Sequence, residues 1–351
     1  MASANQRNLA IDWLKGWMIL FVILVHTWVF PDCQFYLAVE VFYFISGYYM
    51  MLSFLRKPTT AVQYTWKRIR LIALPFFLCL VVRCLMAPEA FFAPENLDAA
   101  IEKYGEFFYT ATLAENLGLY VQPERLLVGG WFFSVLVISS FLLYGMLEYN
   151  QKLATRILFP LIALIGFNAL FQYSESAAGS FFRTGLWSRI SVLSANLVRG
   201  GSEMAAGALI CSVYTEHKAS FEKRATFINI MGIISFILFL LVVFAPGNHD
   251  NLMVVTVPWI LLAAVIDGSW LAKGLSRIRG GVMAWVGKYT LYILCVHGIA
   301  LVLASWCNEH FFHCALQQYG LVAFGVLLVI PATFVLYVVC QWIRKHLCKG
   351  C

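Results

Sequence analysis

Charge is what this sequence has least of. Only 12% of its 351 residues are Asp, Glu, Lys or Arg, about half the share found in soluble domains. Set against 61% hydrophobic and 16% aromatic content, that deficit excludes an ordinary water-soluble globule. No polar stretch is long enough to stand alone as a soluble domain, and nothing points to nucleic acid. No convincing internal repeat relates two halves of the chain, as one does in many transporters. The first apolar stretch lacks a small-residue cleavage site and ends at Trp28-Val29-Phe30-Pro31. It therefore reads as a retained span, not a cleaved signal peptide.

What is present is a series of apolar runs about 20 residues long, the length that crosses a bilayer. They predict an all-α, polytopic transmembrane bundle with ten spans near 9–30, 35–55, 69–86, 131–147, 155–172, 199–214, 226–245, 251–267, 282–304 and 320–343. The sixth is short and opens on Arg199-Gly200-Gly201-Ser202-Glu203. Lys and Arg cluster in alternate loops, which places both termini in the cytoplasm and the protein in the cell (inner or plasma) membrane. The net charge of +7 reflects that loop bias. We expect one membrane domain over residues 1–351, with no attached soluble domain and two outer segments, 87–130 and 173–198. The first outer segment is acidic and reads as a solvated loop or as a lid that grips substrate, with parts such as Leu97 to Leu117 fit to form a helix lying over the outer face. The second carries Arg183, Trp187 and Arg189.

Ten cysteines do not make a disulfide scaffold in so apolar a chain. Those within spans read as small packing residues. Cys307 and Cys314 share an outer loop and pair if that compartment oxidises them. Cys348 and Cys351 offer only two metal-type ligands at a terminus, so no metal site is assigned.

The first stretch combines apolar length with three ionisable residues, Asp12, Lys15 and His26. At about 100° per residue they share one stripe, with Lys15 and His26 about 16 Å apart along the axis. Ionisable residues inside a membrane mark functional sites by default. Rise per residue puts His26 about 6 Å and Glu40 about 8 Å below the outer surface, with Arg83 and His297 in the same half. Lys15 and Lys288 lie about 9 Å above the inner surface, near Lys67-Arg68-Ile69-Arg70. Ser46 and Tyr292 fall between the two layers. The inner cations suit a phosphorylated cytosolic ligand, although Lys15 and Lys288 equally fit side chains that snorkel to the interface. The outer layer suits general acid–base work, with Glu40 or Asp12 positioning His26 as the acid does in a triad. His297 fits a buried structural histidine as well as a site residue.

These residues fall in patterns that resemble the acyltransferase-3 family of integral membrane acyltransferases. Asp12-Trp13-Leu14-Lys15-Gly16, followed by His26, resembles its opening motif, with Lys where Arg is usual. Val39-Glu40-Val41-Phe42-Tyr43-Phe44-Ile45-Ser46-Gly47-Tyr48 resembles its second-span pattern. Trp66 to Leu71 leading to Pro75, then Trp131-Phe132, and finally Gly287 to His297 follow in family order. Lys15 keeps the charge of Arg but loses its two-pronged fork.

The resemblance implies transfer of an acyl group, expected to be acetyl, from cytosolic acyl-CoA to a hydroxyl on an extracytoplasmic glycan, lipid-linked sugar or small acceptor. Acyl-CoA is then a co-substrate, and no tightly bound cofactor is expected. His26, Glu40 and Asp12 are the expected catalytic residues; Lys15, Arg68, Arg70 and Lys288 are expected to hold the donor. Ser46, Arg83, Tyr292 and His297 are candidates for substrate or oxyanion contact. Direct transfer and an acyl-histidine intermediate both fit the sequence. The alternative is a transporter of an anionic metabolite or proton through the same polar residues.

Overall fold

The computed structural model describes residues 8–27, 29–86, 91, 96–114, 126–176, 189–190, 193–245, 250–278, 281–312 and 316–346. Helices dominate, and one two-residue antiparallel ladder, β1 (Arg189–Ile190) with β2 (Leu193–Ser194), interrupts them. The described residues divide into two compact units. One draws on the described residues within 8–25, 30–64 and 138–290, the other on those within 26–29, 65–137 and 291–346.

In the first unit, α1 (Leu9–Val25) starts on Asn8, whose Oδ1 accepts the backbone N–H of Ala10 at 3.0 Å and of Ile11 at 3.1 Å. That side chain satisfies donors that a helix start leaves open. The helix is 17 residues long and stops before His26, so it is shorter than the predicted span to residue 30. Pro31 sets only an outer limit, since it has no N–H and biases Phe30 away from helical backbone; the helix ends five residues before that limit. His26 is accordingly a turn residue just past the helix, not a residue four positions inside a span.

Helix α2 (Ala38–Arg56) leads to α3 (Ala61–Leu85), which passes into the second unit after its first turn. There follow α4 (Leu97–Ala111) and α5 (Gly130–Tyr149). Helix α6 (Gln151–Leu153) continues through a π-turn (Ala154–Leu158) into α7 (Phe159–Ser176). Helices α8 (Ala195–Glu216), α9 (Lys218–Lys223), α10 (Ala225–Phe244), α11 (Met253–Val265), α12 (Trp270–Arg277) and α13 (Gly281–Lys288) complete the first unit. The second ends with α14 (Thr290–His310) and α15 (Gln318–His346).

Two helix pairs in the first unit meet backbone to backbone. A Cβ on Gly16 of α1 would drive into the Met283 carbonyl of α13, and one on Gly287 of α13 into the Asp12 carbonyl of α1. The α2–α8 pair repeats the device, with Gly47 against the Met204 carbonyl and Gly207 against the Phe44 carbonyl. In lipid, where neighbouring helices gain nothing by hiding apolar surface from water, such close approach is a main source of association. Three of these four glycines belong to the sequence motifs, so part of the motif signal records helix crossings.

Outward faces are apolar. Helix α10 exposes Ile230, Ile233, Ile237 and Leu241, and α15 exposes Leu327, Ile330, Phe334 and Val338. Asp12, Glu40, Arg199, Glu203 and Asn229 are buried. Apolar outside and ionisable inside is the arrangement a bilayer imposes.

Among the described residues, six helices have the length and composition to cross a membrane, and seven if α11 and α12, bent by 53°, count as one broken span. They match predicted spans two, four, five, seven, nine and ten. Helix α1 is a residue short of that standard, α3 carries its basic run, and α8 carries Arg199 and Glu203. The predicted ninth span, 282–304, is two helices meeting at Tyr289. Outer segment 173–198 falls largely outside the described residues, as do Cys314, Cys348 and Cys351.

Candidate active site

The predicted residues occur in both units. In the first unit, Asp12 and Lys15 stand one turn apart on α1 with Nζ and Oδ1 at 3.4 Å. The Asp12 side chain is buried and that of Lys15 is 25% exposed. Lys288 closes α13 beside the crossing with α1; it is exposed, with its ammonium 5.5 Å from the Tyr289 ring centre. A cation at a helix C-terminus also faces the negative end of the helix dipole. Ser46 lies on α2, half-buried, directly before the crossing glycine Gly47.

Glu40 sits in the first turn of α2 with no exposed surface. Both of its carboxylate oxygens meet Arg199 of α8: Nε donates to Oε2 at 2.7 Å, and Nη2 pairs with Oε1. The planar fork of Arg suits this two-point grip. Glu203, one turn along α8, brings a second carboxylate to 3.9 Å from Arg199 Nε. All three side chains are fully buried. Buried ions are tolerated when paired and hydrogen-bonded. The sequence reading missed this cluster, noting Arg199 only at the membrane edge. The signal was the i, i+4 spacing of Arg199 and Glu203 in an otherwise apolar stretch.

In the second unit, His26 is half-buried with its ring centre 5.3 Å from that of His297, at a 40° tilt. His297 on α14 is completely buried. Its Nδ1 lies 3.0 Å from the Leu294 carbonyl and 3.2 Å from that of Ile293. Carbonyls only accept, so Nδ1 carries the hydrogen and Nε2 is left as the bare acceptor nitrogen. That Nε2 is buried and has no hydrogen-bond partner among the described residues. Gly129, at φ +93°, brings the start of α5 against this ring: a Cβ there would stand 3.8 Å from His297 Cε1 and 3.6 Å from the Leu294 carbonyl.

The remaining candidates of this unit are spread along its helices. Arg70 is exposed on α3, its guanidinium 5.4 Å from the Trp66 ring centre; Arg68 is half-buried two positions earlier on the same run. Arg83 lies in the last turn of α3, half-buried. Tyr292 is buried near the start of α14, edge-on to Tyr337 of α15 at 5.3 Å. The structure thus joins Asp12 to Lys15 and His26 to His297. Glu40 it joins to Arg199, a residue of its own unit outside the predicted set.

The model of one protein family, described as an acyltransferase domain, matches residues 8–343. No curated protein and no solved structure matches the chain. With nearly the whole length covered, and six or seven helices fit to cross a bilayer, the chain belongs to the acyltransferase-3 family and is a multi-pass membrane acyltransferase.

Proposed function

We propose that this enzyme moves an acyl group, acetyl in our reading, from cytosolic acyl-CoA to a hydroxyl of an extracytoplasmic glycan or related acceptor, with the whole chain serving as one catalytic domain of the cell membrane. The observation that carries the proposal is the His26–His297 pair. A general base must be reachable by substrate, and its ring must be held in one tautomer. Half-buried His26 meets the first condition. Toward the second, the His297 ring packs beside that of His26 with its own tautomer set by two backbone carbonyls, and its buried Nε2 is the acceptor a turned His26 N–H would reach.

In this mechanism His26 removes the acceptor's hydroxyl proton as the hydroxyl oxygen bonds to the thioester carbonyl carbon. The carbonyl oxygen gathers negative charge, which Ser46, Arg83 or Tyr292 stabilises by donation. Collapse breaks the carbon–sulfur bond, and the CoA sulfur leaves with the proton held by His26. The basic groups Lys15, Arg68, Arg70 and Lys288 hold the CoA phosphates. Lys15 does so as a point charge, lacking the fork of Arg, and Asp12 fixes its position through their ion pair.

Our reading gives the orienting of His26 to His297 in place of Glu40. Both Glu40 oxygens are engaged by Arg199, so Glu40 serves to anchor α2 on α8. Membership of the acyltransferase family supports acyl transfer over anion or proton transport.

The test is acyl transfer by purified, reconstituted His26→Ala protein with radiolabelled acetyl-CoA, beside mass spectrometry of envelope glycans with and without the gene. Loss of about 10²–10⁴ in rate is expected for removal of a general base. Wild-type transfer by folded His26→Ala protein would end the proposal. CoA release before any acceptor is added would replace direct transfer by an acyl-histidine route.

A further inference from the structure

Helix α4 is amphipathic the wrong way round for a helix bathed in water. At about 100° per residue, Leu97, Ile101, Tyr104 and Phe108 fall within one stripe about 60° wide. That stripe is the exposed one, with 74%, 62%, 54% and 64% of the four residues uncovered. The opposite side carries Glu106 and Thr110, and these are buried. A helix packed on a protein surface in water buries its apolar stripe and exposes its charges. Here four large apolar side chains point away from the protein while a carboxylate points into it.

The fold holds this orientation firmly. Asn96 caps the helix, its Oδ1 accepting the Ala99 N–H at 2.8 Å. Lys103 pairs with Glu106 at 3.2 Å on the buried side. The Tyr104 hydroxyl donates to the Phe91 carbonyl at 2.6 Å, which pins one member of the exposed stripe from its polar end.

We propose that α4 is an interfacial helix, seated in the headgroup–acyl boundary of the bilayer with Leu97, Ile101, Tyr104 and Phe108 in lipid. Fifteen residues extend about 22 Å as a helix, short of the about 30 Å hydrocarbon core, so α4 lies in the membrane without crossing it. The chain enters it from α3, whose last turns expose Phe77, Val81, Val82 and Leu85. Those residues, like the α4 stripe, are large apolar side chains left uncovered in the same unit, the exposure that lipid accommodates and water does not. Asp98 and Glu102, exposed at the flank of the stripe, mark the water side. A helix with this pattern binds an interface through its buried apolar area. Segment 97–111 is therefore neither a solvated loop nor a lid over water, and it ties the second unit, which contains His26, to the membrane surface.

The test uses the full chain reconstituted in phospholipid vesicles, with a genetically encoded fluorescent amino acid at position 101, 102 or 108. Doxyl-labelled phospholipid probes contact with lipid, and iodide probes contact with water. Quenching by the doxyl lipid severalfold stronger at 101 and 108 than at 102, with iodide giving the reverse order, supports the proposal. Equal iodide quenching at all three positions overturns it in favour of a solvated segment or lid. Shielding from both quenchers at 101 and 108, with cross-links between copies through the same residues, overturns it in favour of a protein partner. The unsubstituted chain gives a second reading: a photoactivatable phospholipid should label the peptide containing 97–111, and absence of label there, with α10 and α15 labelled, refutes lipid contact.

Discussion

Removing the guanidinium from the Glu40–Arg199–Glu203 cluster is the most demanding test of the first unit. Arg199→Met keeps an unbranched apolar stem but leaves two carboxyl groups, both without exposed surface, near one another with no cation. Breaking a buried ion pair from one side costs about 3–5 kcal/mol, because the stranded charge has neither water nor partner. Here the stranded side holds two acids, so the upper half of that range applies, roughly a 10³-fold change in folding equilibrium. Arg199→Lys supplies a charge but one compact ammonium in place of a fork that reaches both Glu40 oxygens. It should lose about 1–3 kcal/mol, the value of the stranded hydrogen-bonding group. Making the site neutral throughout, as Arg199→Met with Glu40→Gln and Glu203→Gln, should recover most of the loss, since neutral replacements of buried ions are often well tolerated. Thermal unfolding of the purified protein in detergent, followed by tryptophan fluorescence, ranks the four proteins. A triple variant no more stable than Arg199→Met, or Arg199→Met melting with the wild type, would refute the reasoning.

The helix crossings make a sharper steric prediction. Gly207→Ala and Gly47→Ala should each destabilise by about 1–3 kcal/mol through overpacking. Gly201→Ala on the same α8 should be neutral or slightly stabilising, because its Cβ would meet only Ser139 Oγ at 3.8 Å. The same melting assay separates them. Asn229→Ala removes the side chain that donates to the Gly268 carbonyl at 3.1 Å and accepts the Trp270 N–H at 2.9 Å; the bend between α11 and α12 should weaken by about 1–3 kcal/mol, read as faster amide exchange at 266–270. His297→Ala should lower kcat while leaving the KM for acyl-CoA unchanged; a purely structural role would instead lower the melting temperature with kcat intact. Acyl-CoA at a hundred times its Kd should protect the wild type by about 2.7 kcal/mol. That shift should survive His26→Ala and shrink in Lys15→Met, and equal protection of Lys15→Met would remove Lys15 from the donor site.

The sequence by itself determined the solvent, the class and the family. A shortage of charge and repeated apolar runs about 20 residues long point to a helical membrane protein, because a span must satisfy its backbone internally and that length fits a helix. The motif order from Asp12 to His297 resembles the family that the 8–343 match confirms. The sequence also marked Asp12, Lys15, His26 and Glu40 as ionisable residues that a membrane segment would not carry without cause. What it left undecided was which of them meet. Period and depth put His26 and Glu40 in one layer, yet depth is a single coordinate. Helix rotation is set by backbone crossings such as Gly16 on Met283 and Gly47 on Met204, contacts between residues far apart in the chain. Those crossings turn Glu40 to Arg199, a pairing across 159 positions. Pairing of His26 with His297 spans the second unit in the same way. Helix α4 gives the complementary lesson: its stripe is legible in residues 97–108, but the side that faces out is decided only where Glu106 and Thr110 are buried. Local periodicity fixes what lies on one face of a helix; only packing against distant chain fixes where that face points.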